Sequence, residues 1–96
     1  MTNRPTVVLY FAHWCGYCKD FMPHFLKVRD ALEKQGCANV KLVDADKNQR
    51  LLQQEQVPGF PTVRLHIGKK KLTYTGERTA QALAAWLKEQ GRLHKS

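Results

Sequence analysis

Trp14-Cys15-Gly16-Tyr17-Cys18 is the stretch on which the reading of this chain turns. Two cysteines with two residues between them can close a small disulfide and reopen it without rearranging the backbone. An apolar, β-branched run, Thr6-Val7-Val8-Leu9-Tyr10-Phe11-Ala12, leads into the motif. After it, Phe21, Phe25, Val28 and Leu32 fall on one helical face. Cys15 is therefore placed at a helix N-terminus, with Cys18 about one turn later on the same side. The unpaired N–H groups and the positive dipole end at that position favour a thiolate. Only the thiolate attacks a disulfide, so the position makes an ordinary cysteine a nucleophile at neutral pH.

Working outward, the first strand spans about Thr6 to Ala12. The first helix runs from about Cys15 to Gln35 and stops at Gly36. Pro23 lies inside it and predicts a kink or a short separate first segment. Val40 to Val43 is a second strand ended by Asp44-Ala45-Asp46, and a short helix follows from Gln49 to Gln54. Pro58-Gly59-Phe60-Pro61 breaks the chain. Thr62 to Ile67 and Lys71 to Tyr74 are strands joined by a tight turn at Ile67-Gly68-Lys69, too close for a crossover and so antiparallel. Thr79 caps a last helix that buries Leu83, Trp86 and Leu87 and ends at Gly91. The order is β-α-β-α-β-β-α: an α/β chain with a mixed four-stranded sheet and helices on both faces.

Ninety-six residues make a single domain, residues 1–96, with 43% hydrophobic and 25% charged residues. No apolar run is long enough to cross a membrane, so no membrane partner is expected. Arg4 followed by the apolar strand weakly imitates a leader, but cleavage there would destroy the cysteine motif. The stretch reads as a core strand with no targeting segment, which makes the cytoplasm the default. The net charge of +8 favours acidic partners. The basic residues are scattered, and their one cluster, Lys69-Lys70-Lys71, reads as a solvated hairpin turn. No nucleic-acid motif accompanies them, so no specific nucleic acid is expected. Three cysteines are an odd number, unlike a disulfide-stapled secreted fold. Cys37 reads as a half-buried inert thiol, or else as a site of glutathionylation or intermolecular pairing. Cys15 and Cys18 with Cys37 and His13 or His24 would be a zinc alternative. The second half of a zinc pattern is missing, and neither metal nor cofactor is expected.

Four pieces then carry a resemblance: Tyr10-Phe11-Ala12-His13-Trp14-Cys15-Gly16-Tyr17-Cys18-Lys19, Val43-Asp44-Ala45, Gly59-Phe60-Pro61-Thr62 and Tyr74-Thr75-Gly76-Glu77-Arg78-Thr79. Pro23, five residues after Cys18, fits too. In this order and spacing the chain resembles the thioredoxin superfamily, and within it a catalytic domain of protein disulfide isomerase. It looks like the minimal core of that fold, because family members usually have a strand and a helix before the strand that enters the motif.

The resemblance implies Cys15 as the attacking nucleophile and Cys18 as the resolving thiol. Gly16 and Tyr17 tune the pair; the Gly-Tyr combination resembles bacterial periplasmic disulfide isomerases and implies an intermediate reduction potential. His13 either lends positive charge to Cys15 or is a solvent-facing loop histidine. Pro61 is implied to follow a cis peptide bond, to face the cysteines and to keep metal off them. The Phe60 backbone would pair with an extended substrate. Trp14, Tyr17, Pro58 and Phe60 would form the apolar substrate rim. Arg78 either modulates the pKa of the resolving cysteine or is a surface arginine before a helix. The buried acid and lysine usual in the family are replaced by Leu9 and Leu42, both expected to be apolar core. The implied activity is a thiol-disulfide oxidoreductase or isomerase acting on protein thiols and disulfides, as a monomer, with glutathione or a reductase as redox partner. The alternatives are a glutaredoxin- or thioredoxin-like reductase and a non-catalytic chaperone or assembly module. The resemblance also admits the endoplasmic reticulum or a virion as the compartment.

Overall fold

Side chains alternate across a strand, so Val7 and Leu9 of β1 (Thr6–Phe11) face one way and Val8 and Tyr10 the other. All four are at most 4% exposed. A strand buried on both faces belongs in the middle of a sheet, and β1 lies between β2 (Asn39–Asp44) and β3 (Thr62–Ile67), with β4 (Lys70–Thr73) outermost. The computed structural model describes residues 4–93. Residues 1–3 of the stretch weighed against a leader lie outside the described residues.

The crossover from β1 to β2 is the helix α1 (Gly16–Gln35), which makes that pair parallel. β3 runs antiparallel to β1 and to β4. Ile67 pairs with Lys70, which leaves Gly68 and Lys69 as a two-residue hairpin loop, and Gly68 takes φ 58° at its first position. β4 therefore starts one residue earlier than its sequence pattern implied. Tyr74 stays attached, donating its N–H to the Val63 carbonyl at 2.9 Å.

On one face, Val7, Leu9, Val63 and Leu65 pack against Phe21, Phe25 and Val28 of α1 and Leu83 of α3 (Ala80–Leu93). α1 is one 20-residue helix, with no separate segment before Pro23. Pro23 offers no N–H to the Lys19 carbonyl, but Phe21 and Phe25 anchor the helix in the core on either side of it. Gly36 closes α1 in the left-handed region at φ 66°. At Gly91, by contrast, φ is not positive and α3 continues to Leu93, so the expected stop is absent. Thr79 caps α3 as its sequence implies, its hydroxyl accepting from the Ala82 N–H at 3.1 Å. Leu83 is fully buried and Trp86 and Leu87 are half-buried. No helix among the described residues is long and apolar enough to cross a membrane.

On the other face, Val8, Tyr10 and Val43 lie under Leu52 of the short helix α2 (Gln49–Gln54), Val57 and Phe60. A polar lattice seals the rest. Arg64 lies over the Tyr10 ring, 5.8 Å from its centre, and donates to the Glu55 and Gln56 carbonyls. Lys71 pairs with the Glu55 carboxylate at 2.7 Å, so the lysine cluster is not simply a solvated turn. Two further expectations fail at the margins. Cys37 is exposed, beyond the end of α1. Leu42 is 38% exposed, because β2 is an edge strand and only Leu9 of that pair reaches the core.

This asymmetry sets the cost of substitution. Leu83→Ala is expected to lower the unfolding free energy by about 3 kcal/mol and Leu42→Lys by less than about 0.5 kcal/mol, both read by urea denaturation. His66 gives a pH signature. Its Nε2 is buried without a hydrogen-bond partner, and burial, then Lys71, hold its pKa below the ordinary value of 6.5, with Glu55 opposing. The contribution of the neutral ring is therefore present above pH 6.5 and lost as pH falls through the depressed folded value. Urea midpoints should drop on acidification below pH 6.5, and His66→Leu should shrink that drop.

Candidate active site

β1 ends at Phe11 and the chain turns at once, the Cys15 N–H reaching back to the Ala12 carbonyl at 3.2 Å. That turn delivers Cys15 as the N-cap of α1, where its Sγ accepts the Cys18 N–H at 3.3 Å. Asp, Asn, Ser or Thr usually does this with oxygen. Here the capping atom is the sulfur of Cys15. Both thiols are buried, Cys15 at 8% and Cys18 at 3% exposure, against Ala12 and Ala45.

The two sulfurs are driven apart electrostatically. Hydrogen bonding from the Cys18 thiol is the main influence that lowers the Cys15 pKa, and the backbone N–H groups of Cys18 and Tyr17 and the Arg78 charge act in the same direction against burial. Cys18 is pushed up to about 11, first by burial and then by its hydrogen bond to Cys15, while the Ala12 backbone and Arg78 oppose. Cys15 is thus the more easily ionised of the two sulfurs and Cys18 the one that holds its proton more tightly. Leu9, 1% exposed, stands where the resemblance places a buried acid, and no carboxylate appears among the groups that set Cys18.

Opposite the cysteines, the Cys15 thiol points at the Phe60 carbonyl, 3.6 Å away. The Phe60–Pro61 peptide bond is cis, as the resemblance implied. The loop is fixed from below by Thr62, 7% exposed, whose hydroxyl donates to the Gly59 carbonyl at 2.7 Å. Trp14 and Tyr17, 68% and 67% exposed, form an open aromatic rim. Trp14 meets Phe60 edge-on with ring centres 6.0 Å apart, and Pro58 is exposed beside it in sequence. A Cβ at Gly16 would meet nothing within 4 Å, so this glycine serves no close approach.

His13 is the solvent-facing loop histidine of the two readings. Its Nε2 lies 3.0 Å from the Asp44 carboxylate and its side chain is 71% exposed. Arg78 is an exposed arginine just before α3, with its guanidinium 5.1 Å from the centre of the Tyr17 ring, and its charge is the smallest of the influences that favour the ionised form of Cys15. The zinc alternative loses its ligands: His24 Nδ1 accepts the Ala80 N–H at 3.3 Å, and Cys37 lies beyond the far end of α1. Among the described residues no group of three His, Cys, Asp or Glu could hold a metal ion.

Two residues of the site escape a linear reading. Asp44 holds His13, and Asp46 accepts the Trp14 indole N–H at 3.3 Å. Both acids follow directly from parallel pairing, because Phe11 lies opposite Asp44 and the two strands end together. Their signal was the pair of carboxylates at the end of the second strand, where the sequence marked a break and a piece of the family resemblance but no partner for either acid.

Comparison with known proteins gives consistent results. The family model described as Thioredoxin matches residues 1–89. Protein disulfide-isomerase 2-3 of Arabidopsis thaliana is 37% identical over 90 residues, covering 93% of this chain and 20% of that protein. A protein disulfide-isomerase A6 homolog of Caenorhabditis elegans is 42% identical over 80 residues, 81% of this chain and 18% of its own length. The chain thus spans about a fifth of these relatives. The first thioredoxin domain of mouse protein disulfide-isomerase A4 superposes with a TM-score of 0.82 at 25% identity, covering 98% of this chain and 68% of that one. The J-Trx1 fragment of ERdj5 gives 0.84 at 19% identity, covering 93% and 44%, and shares the fold.

The split between the two thiols predicts an order of labelling. With limiting iodoacetamide near neutral pH, Cys15 and the exposed Cys37 should carry the label and Cys18 should remain free, as read by peptide mass spectrometry. Labelling of Cys18 ahead of Cys15 would reverse the assignment of roles.

Proposed function

The chain belongs to the thioredoxin family, and from that premise we propose that it is a thiol-disulfide oxidoreductase of the isomerase type, acting on protein cysteines. One observation carries the reading: the buried sulfur that caps α1 has a lowered pKa, is flanked in sequence by the exposed Trp14 and Tyr17, and has a proton-holding second sulfur one turn behind it.

The Cys15 thiolate attacks one sulfur of a client disulfide. A Cys15–client disulfide forms, and the other client sulfur leaves as a thiolate that takes a proton from water. Cys18 then loses its proton to water and attacks Cys15 Sγ. The Cys15–Cys18 disulfide closes and the second client sulfur leaves as a thiolate that takes a proton from water. The client gains two electrons and two protons, and the pair is oxidised. Run backward, the same steps donate a disulfide. When a second client thiol attacks the mixed intermediate instead, the client's pairing changes with no net electron transfer, which is isomerisation.

The exposed Trp14 and Tyr17 offer a client loose apolar contact without a deep pocket. The Phe60 carbonyl beside Cys15 is placed to accept a backbone N–H from an extended client segment as it approaches.

Resolution is the demanding step, because among the described residues no carboxylate acts on Cys18. Forming the mixed disulfide removes the Cys15 charge and hydrogen bond that help push Cys18 up. Its thiol becomes easier to ionise when it is needed, while burial, the largest cause, persists.

Cys15→Ser should abolish reduction of a disulfide-bonded client such as insulin, and Cys18→Ser should accumulate covalent enzyme–client species on non-reducing gels. In stopped-flow experiments, release of the mixed disulfide should accelerate with rising pH, by up to about tenfold per unit where Cys18 is mostly protonated. Turnover that survives Cys15→Ser, or release insensitive to pH, would remove this mechanism. A client that still binds the Cys15/Cys18 double variant without turnover would point to a non-catalytic chaperone module.

A further inference from the structure

We propose that Tyr17 is a positioning residue whose ring holds the Arg78 guanidinium beside the thiol pair, so that the cationic partner of Cys15 is assembled from two segments of the chain. The proposal rests on the exchange activity argued above and names what supports its nucleophile.

The geometry has three parts. The guanidinium carbon lies 5.1 Å from the Tyr17 ring centre, within the range of a cation–π contact. Among the described residues no ion pair involves Arg78, and the Tyr17 ring is the one ring that it contacts. The backbone on both sides of Arg78 is pinned. The Tyr74 hydroxyl donates to the Glu77 carbonyl, and Thr79 caps α3. Gly76 permits the first of these, because a Cβ there would lie 2.7 Å from the Tyr74 hydroxyl. A fixed backbone with a long, otherwise unpaired side chain leaves the direction of the cation to the aromatic ring.

That direction matters for the chemistry. Arg78 favours the ionised form of both Cys15 and Cys18. The titratable and charged groups facing Cys15 are Cys18 from α1 and Arg78 from the segment before α3, since His13 on the approach turn is engaged by Asp44. Tyr17 carries no charge, yet it sits between the two cysteines in sequence and projects a mostly exposed ring. Its contribution runs through the arginine that it holds and through its own backbone N–H.

The test is the pH profile of Cys15 alkylation by iodoacetamide, a neutral reagent, in a Cys37→Ser background at low and high salt. Tyr17→Leu should slow alkylation near neutral pH about threefold, move the profile to higher pH and remove the salt sensitivity that the cation gives the wild type. Tyr17→Phe, which keeps the ring, should retain the wild-type profile. Tyr17→Leu/Arg78→Gln should be no slower than Arg78→Gln alone. Activated wild-type Cys15 with an unchanged profile in Tyr17→Leu, or effects that simply add in the double variant, would overturn the positioning role and leave the exchange activity standing. Wild-type Cys15 that reacts like an ordinary thiol would overturn both. Because Tyr17 is 67% exposed, its replacement leaves the core intact.

Discussion

The hydrogen bond from the Cys18 N–H to Cys15 Sγ ties the fold to the chemistry. As an N-cap it satisfies one of the orphan donors of the first helical turn, and so starts α1 where β1 has just ended. As a donor to sulfur it is one of the contacts that favour the thiolate. The same atom that begins the longest helix among the described residues is the one proposed to react. α1 is in turn held by Phe21, Phe25 and Val28, which dock on the inner face of the sheet and fix the direction in which the sulfur points.

Around this bond the site is assembled from strand ends. β1 and β2 finish side by side, and the acids at the end of β2 grip the two residues before Cys15. The segment into β3 brings the Phe60 carbonyl against Cys15, and the segment into α3 brings Arg78 over Tyr17. Each contribution comes from a loop at the same edge of the sheet, and each loop is anchored by a local hydrogen bond. The backbone of the site is held by these local hydrogen bonds, while the Trp14 and Tyr17 side chains stay open to solvent.

Much of this was legible in the sequence because the signals were local. Alternation in β1, the helical face after the motif, the Thr79 cap and the turn at Gly68 each depend on residues a few positions apart. The cis Phe60–Pro61 bond was carried by motif resemblance, as were the roles proposed for the two cysteines. What escaped was set by neighbours distant in the chain. His13 and Trp14 look free until parallel pairing brings Asp44 and Asp46 beside them. Lys71 looks like part of a solvated turn until α2 presents Glu55. Leu42 looks like core because it is apolar, but an edge strand leaves it 38% exposed. Gly91 looks like a stop, but only a positive φ would have made it one.

The sulfur cap also links folding to oxidation state. An anionic sulfur that accepts N–H groups at a helix start stabilises the folded, reduced chain, and a sulfur committed to a disulfide no longer carries that charge. By the closed thermodynamic cycle, whatever free energy the cap adds to the reduced fold is subtracted from the tendency of the pair to stay oxidised. In the proposed exchange, the first turn of α1 would set redox poise as well as architecture. A residue elsewhere that favours the thiolate over the disulfide at that turn would strengthen the chain as an electron acceptor.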